Sequence, residues 1–263
     1  MIDAHAYLAA FGAMLAMGAG GWWYSYWRNN VTIVDSLWPM FFLVGLVTYA
    51  VALPASTLDA QSRMLLGLAA IWAIRLCGYL AWRNWGKDED HRYAEIRRRN
   101  EPGFAKKSLY IVFGLQAVLA WIIATPLAAA YGASNALGFL GIAGVALWIF
   151  GFAFESIADW QLARFKRDPR NAAKVMDQGL WRYTRHPNYF GEACVWWGFW
   201  LIAASNGGAW TAFAPLLMTF LLLKVSGVVL LEKDITQRRP GYLNYMKRTN
   251  AFIPGPPRGG PQL

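Results

Sequence analysis

Long apolar runs separated by short polar clusters set the plan of this chain. About 20 apolar residues in a helix cross the hydrocarbon core of a bilayer. Runs of that order lie at residues 5–27, 32–53, 63–84, 108–131, 135–163, 189–206 and 208–231. The pattern predicts an all-α polytopic membrane protein with about seven transmembrane helices, forming one integral membrane domain over residues 1–263. The sixth run is short, and Gly207–Gly208 offers a tight hairpin into the seventh. A six-span count is the alternative at that boundary. In the fifth run Gly138, Gly141 and Gly144, with Gly151, make a smooth stripe of the kind that lets membrane helices pack closely.

Composition strengthens this reading. Of 263 residues 57% are hydrophobic and only 15% charged, more apolar surface than a soluble domain of this length needs to bury. Fifteen Trp and twelve Tyr suit the boundary between hydrocarbon and headgroups, where amphipathic rings collect. Cys77 and Cys194 lie in separate apolar runs without metal-ligand spacing and read as packing residues. Residues Met1 to His5 lack the basic start of a cleaved signal, so the first apolar run is expected to stay as an anchor.

Charge gives the orientation. Under the seven-helix plan, 22 of the 25 Lys and Arg fall in the segments 28–30, 83–107, 164–188 and 232–263, against Arg63 alone on the other side. The positive-inside rule then places the N-terminus outside and the C-terminus in the cytoplasm. The net charge of +10 is gathered on one face, where anionic membrane lipids are the plain partner and a polyanionic soluble ligand the sharper one. No nucleic acid is expected, and the chain reads as a monomer.

Charges at membrane depth are costly and usually face a polar cavity, which singles out Asp35, Arg75, Glu155, Asp159, Glu192, Lys224 and Glu232. Glu155 and Asp159 stand one turn apart on one helical face, with Lys166 two turns beyond, as one wall of a cytoplasm-facing pocket. An ion pair with Arg75 or Lys224 is the structural alternative. The segment Gly179-Leu-Trp-Arg-Tyr-Thr-Arg-His-Pro-Asn-Tyr-Phe-Gly-Glu192 ends a basic loop and starts a helix. Pro187 suits its first turn, where free N–H groups beside Arg182, Arg185 and His186 would hold a phosphate. Asn188 and Glu192 follow one turn apart and could bond the polar rings of a nucleotide; a plain helix cap is the other role for His186.

A second cluster, Arg83-Asn-Trp-Gly-Lys-Asp-Glu-Asp-His-Arg-Tyr93, reads as a loop after the third run, and Arg75, Tyr79 and Arg83 line one helical face down to it. For Arg97-Arg98-Arg99 lipid headgroups are the expected contact. Glu232, Arg238, Arg239, Tyr242 and Tyr245 lead to Phe252-Ile-Pro-Gly-Pro-Pro257, a helix stop followed by an irregular tail. No G-x-G-x-x-G, no P-loop and no metal-ligand spacing of the three His occur, so a nucleotide would be held without a Rossmann fold and no metal is expected.

Gly179 to Glu192, with Arg83-Asn-Trp-Gly-Lys87 and the Arg239-Pro-Gly-Tyr…Phe-Ile-Pro ending, resembles the steroid 5-alpha-reductase family, its bacterial members most closely. The Arg-His-Pro-Asn-Tyr core is shared with sterol C14 reductases and isoprenylcysteine methyltransferases. The resemblance implies NADPH as cofactor, a seven-helix domain in the bacterial inner membrane and a cytoplasm-facing cofactor site from residues 75–107, 155–192 and 232–254. By resemblance Asp159, Arg164, Lys166, Lys174, Tyr183, His186, Asn188 and Glu192 surround NADPH, and Arg75, Tyr79, Arg83 and Lys87 complete the cage; Glu155, Arg185 and Glu232 join the same expected set.

The family pairs a carboxylate in the second helix with a tyrosine in the third, both aimed at the substrate's keto oxygen. Asp35 matches the carboxylate, departing from the usual glutamate. The tyrosine position falls near Trp72, so Tyr79 is the substitute donor, with Tyr24 and Tyr26 as further candidates. The expected reaction is reduction of the double bond of a steroid-like 3-keto-4-ene, or another apolar enone, drawn from the bilayer. A membrane methyltransferase using S-adenosylmethionine and a non-enzymatic sterol or lipid binder remain the alternatives.

Overall fold

The computed structural model describes residues 2–133, 137–225, 228, 232, 235, 239 and 241–258. Most of the end of the seventh predicted run (226–231), together with Arg238 and Pro240, lies outside the described residues. In chain order the helices are α1 (Ala4–Arg28), α2 (Ile33–Ala52), α3 (Ala60–Asn84), α4 (His91–Asn100), α5 (Phe104–Ala130), α6 (Phe139–Arg167), α7 (Pro187–Ala204), α8 (Ala209–Val225) and α9 (Tyr242–Arg248). Each predicted apolar run coincides with a helix over its described residues. Among them α2, α3, α5 and α6 are long and apolar enough to cross a membrane.

The helices begin where the sequence supplies caps. Asp3, Asp59 and Asp90 each accept a backbone N–H of the first turn, from Ala6, Ser62 and Arg92 at 2.8, 2.7 and 3.0 Å. Such a bond satisfies one of the free donors at a helix start. Asn29 ends α1 in the left-handed region, with φ 47°, and turns the chain into α2.

Contacts gather the chain into two compact units. The first holds Met1–Gly138 and Ala203–Ala214. Here α1 and α2 run antiparallel, with Gly45 against Met14 and Gly21 against Leu37. Phe41, Phe42, Leu65, Trp72 and Phe113 are buried between the helices. Side-chain bonds to backbone tie the layers: Tyr7 Oη donates to Trp121 O (2.9 Å), Trp22 Nε1 to Ala105 O (2.8 Å) and Gln61 Nε2 to Ala130 O (3.0 Å). Within α5 the residues Leu109–Gly114 form a π-helical turn.

The second unit holds Phe139–Ile202 and Pro215–Leu263. Its axis is the α6–α7 pair, and small residues on both helices make it close. A methyl group on Gly144 would fall 2.7 Å from Gly198 O, and one on Gly151 would fall 2.6 Å from Gly191 O. The smooth stripe of the sequence is therefore used at Gly144 and Gly151, against glycines of α7 that the sequence reading left out. Gly138 belongs to no such contact, since a methyl there meets nothing within 4 Å.

Candidate functional site

In the first unit the chemistry gathers where α2 and α4 begin. Asp35 stands in the first turn of α2 and Tyr93 in the first turn of α4. Tyr93 Oη donates to Asp35 Oδ1 at 2.5 Å. The other carboxylate oxygen accepts from Arg92 Nη2 at 2.7 Å, and Arg83 Nη2 stands 3.8 Å from it. Gln116 Nε2, on α5 just past the π-helical turn, reaches the Tyr93 oxygen at 3.4 Å. Tyr93 is 7% exposed. Burial first, and then the negative charge of Asp35, hold its phenol proton well above the usual tyrosine range.

The two turns that present this pair are fastened together. Glu89 Oε1 accepts Val31 N (2.9 Å), and Asp90 N donates to Thr32 Oγ1 (2.9 Å). Arg92 also grips Asp90, with Nε to Oδ1 at 2.9 Å. Arg97 joins both sides: Nε and Nη2 donate to Glu89 at 2.8 Å each, while Nη1 and Nη2 donate to Asn29 Oδ1 (3.0 Å) and Asn29 O (3.2 Å). Burial raises the Glu89 carboxyl, but the bonds from Arg97 and Val31 outweigh it and leave it below the ordinary range. Arg97 thus lies in an internal network, not on the lipid-facing surface expected for it; Arg98 and Arg99 are exposed and pair with Glu95.

Sequence reasoning chose Asp35 but passed over its tyrosine. Tyr93 closes the polar cluster Arg83–Tyr93, which has no hydrophobic period and so reads as loop; the signal for it is Asp90, a helix cap that makes the next residues a first turn. Tyr79 stacks under the Arg75 guanidinium (5.7 Å) on α3. Tyr24 and Tyr26 are 50% and 41% exposed, and Tyr26 belongs to an aromatic cluster with Trp22, Trp23 and Trp27. Lys87 N caps back onto Asn84 O and its own carbonyl accepts from Asn30.

In the second unit the Gly179–Glu192 segment is held by backbone pairing rather than by regular structure. Gly179, at φ +59°, packs on the Gln161 amide, which accepts Leu180 N at 3.0 Å. Thr184 pairs with Asn250, Arg185 N donates to Asn250 O (2.9 Å), and Gly255 N donates to Tyr183 O (3.0 Å). The Arg185 guanidinium is spent inside the protein. It donates to Glu232 through Nε (2.7 Å) and Nη2 (3.0 Å), and through Nη1 to the carbonyls of Thr249 (2.6 Å) and Met246 (3.2 Å). His186 Nε2 lies 3.0 Å from Glu232 Oε1, and Tyr242 Oη donates to the same oxygen at 3.1 Å. Burial works against the Glu232 charge, yet the bonds from His186 and Arg185 prevail and lower its pKa to about 2.

Close α6–α7 packing sets the remaining polar groups side by side. Glu155, Asp159 and Glu192 are buried, and Asn188 Nδ2 donates to Asp159 Oδ1 at 3.3 Å. Asn188 Oδ1 is buried and has no hydrogen-bond partner among the described residues. Buried acceptors are normally bonded, so a missing donor at this point suits a ligand N–H. At the end of α6, Arg164 lies over Trp160 (5.5 Å), while Lys166, Lys174 and Tyr183 are exposed. No group of His, Cys, Asp and Glu among the described residues could hold a metal ion.

An all-helical chain with four long apolar helices and polar clusters at helix starts has the build of a membrane protein. Residues 21–249 match the family described as "Protein of unknown function (DUF1295)", and the chain belongs to that family, part of the steroid 5-alpha-reductase-like superfamily. It is also similar to the "Uncharacterized protein C594.04c" of Schizosaccharomyces pombe, 27% identical over 89% of this chain and 75% of the yeast protein. No solved structure matches the chain significantly.

Proposed function

We propose that the protein is an NADPH-dependent reductase of the carbon–carbon double bond of an apolar enone, a steroid-like 3-keto-4-ene or a relative, taken from the bilayer. Tyr93 serves as the hydrogen-bond donor to the carbonyl oxygen, in the role sequence reasoning gave to Tyr79, and Asp35 orients it. The 2.5 Å bond between Tyr93 and Asp35 carries the reading. A buried phenol set between a carboxylate and an amide donor is an arrangement that packing alone does not call for.

The second unit suits the cofactor. Exposed Arg164, Lys166 and Lys174 would meet its phosphates, and Asn188, with its unpartnered acceptor, would meet an N–H of one of its rings. Arg185 and His186 act through Glu232, fixing the helix start that presents Asn188. When bound, NADPH supplies a hydride to the enone's β carbon. Charge then collects on the carbonyl oxygen, and the single Tyr93 O–H, which turns from Asp35 Oδ1 to that oxygen when substrate is bound, meets it in surroundings poor in water, where such a bond is worth more than in solvent. The α carbon takes a proton from water, so each turnover consumes one NADPH and one proton. The same reading has seven helices in the bacterial inner membrane, with the C-terminus and the cofactor-binding loops cytoplasmic and one copy sufficient.

The test is NADPH oxidation by the purified protein with a 3-keto-4-ene steroid. Tyr93→Phe should lower turnover by about a hundredfold or more, the scale of a lost oxyanion donor, with NADPH affinity nearly unchanged. Asp35→Asn should fall with it. Full turnover in Tyr93→Phe, or binding of S-adenosylmethionine in place of NADPH, would overturn the reading.

A further inference from the structure

The basic run Arg97-Arg98-Arg99 divides in the structure. Arg98 and Arg99 keep exposed side chains, at 77% and 65%, whereas Arg97 is 21% exposed. Its guanidinium lies 4.6 Å over the Phe104 ring, so its plane is fixed from one side by packing. Its donors then go to two different loops. Two bonds hold Glu89, in the loop that leads directly into α4, and two hold Asn29, the left-handed residue that leads directly into α2. Glu89 in turn accepts Val31 N, so the carboxylate is shared between the α2 entry and Arg97.

These are the loops that place the reacting pair. Asp35 comes one turn into α2, and Tyr93 comes at the start of α4, one helical turn before Arg97 on the same face. A planar fork with several fixed donors can satisfy a carboxylate and an amide side chain at once; an ammonium is a point charge and cannot hold both in one plane. We propose that Arg97 is a positioning residue, a clamp between the α1–α2 corner and α4 that sets the Tyr93 hydroxyl on Asp35. The proposal rests on the reading of Tyr93 as the carbonyl-side donor. Arg97 makes no hydrogen bond or ion pair with either member of the pair among the described residues, and its bonds act through the loops.

The test uses full-length protein in detergent with 3-fluorotyrosine incorporated at position 93. Its fluorine resonance reports the placement of the ring without any turnover. The unsubstituted clamp should give one narrow line, and Arg97→Lys, which keeps the charge, should broaden or split it; Arg99→Lys, a surface substitution, should leave it as it was. In the ordinary protein Arg97→Lys should lower kcat by about tenfold or more, the cost of a small misplacement of a reacting group, while KM for NADPH stays the same. Glu89→Gln should give the same fluorine change, and the double variant no more than either alone, which keeps the clamp testable if one variant folds poorly. An unchanged fluorine line in both Arg97→Lys and Glu89→Gln overturns the proposal. Turnover that survives Tyr93→Phe overturns the reductase reading instead, and the fluorine line still decides whether Arg97 places Tyr93.

Discussion

On two oxygens Glu232 receives Arg185 twice, His186 and Tyr242, and its charge is what binds the α7 entry to the chain near α9. With a pKa lowered from 4.5 to about 2, this carboxylate gives stability that is complete above its unfolded value and is lost as pH falls from about 4.5 towards about 2. Thermal unfolding in detergent should therefore show the wild type weakening through that window and Glu232→Gln weakening less. At neutral pH Glu232→Gln should cost about 3 kcal/mol, because it leaves the Arg185 guanidinium in a buried place without its counter-charge. An equal pH response in both proteins would show that the carboxylate does not control the acid limb. The sequence disclosed Glu232, Arg185 and His186 as chemically unusual, but not that they answer one another. The separation of 46 residues between His186 and Glu232 is closed by folding alone. Tyr93 was hidden differently: it stood in plain view beside Arg92, but a short capped helix in a polar stretch has no hydrophobic period to announce it.

Among the elements, α6 and α7 were legible as apolar runs, and one side of their contact was legible as glycines. The other side was not, since Gly191 lies inside the polar motif Gly179–Glu192 and Gly198 stands alone among aromatics. The structure gives both a packing duty: a methyl on Gly191 would lie 2.5 Å from Glu155 N, and one on Gly198 would lie 2.8 Å from Gly144 O. Gly151→Ala and Gly198→Ala should each destabilise the purified protein by about 1–3 kcal/mol, the range of overpacked cores, because backbone rather than a flexible side chain must give way. Gly138→Ala should be neutral. Unfolding temperatures that rank Gly138→Ala with the other two would contradict the packing. The π-helical turn of α5 had no reading in the sequence at all, since Leu109–Gly114 is as apolar as the helix that follows it; such turns often mark functional places in helices.

At the scale of the whole chain, the helical class and the apolar helices could be read directly, because segments that suit a bilayer must be both long and apolar. The boundary residues add a check on depth. In the first unit Trp23 and Trp27 at the end of α1, and Trp82 and Trp85 at the end of α3, are 57, 70, 52 and 85% exposed, next to Arg28, Arg83 and Lys87. Exposed indoles beside cations are the composition of an interfacial belt. If that belt lies on the cytoplasmic side, as the positive-inside rule predicts, a reporter placed near Ser56 should read outside and one fused after Leu263 should read cytoplasmic. Both on one side would reject the orientation. The pairing of Tyr183 with Gly255, of Thr184 with Asn250 and Phe252, and of Arg185 with Asn250 has a bearing on synthesis. While the ribosome is making residues 190–231, α6 can already be in the membrane, yet the arginine that precedes α7 has neither its carboxylate, Glu232, nor its carbonyl acceptors, Met246 and Thr249. The second unit closes only when the segment from Asn250 to Gly255 has emerged. A premature stop before Asn250 would leave a product fully inserted but with an open seam on its polar face, recognisable to quality control by that seam and not by any missing helix.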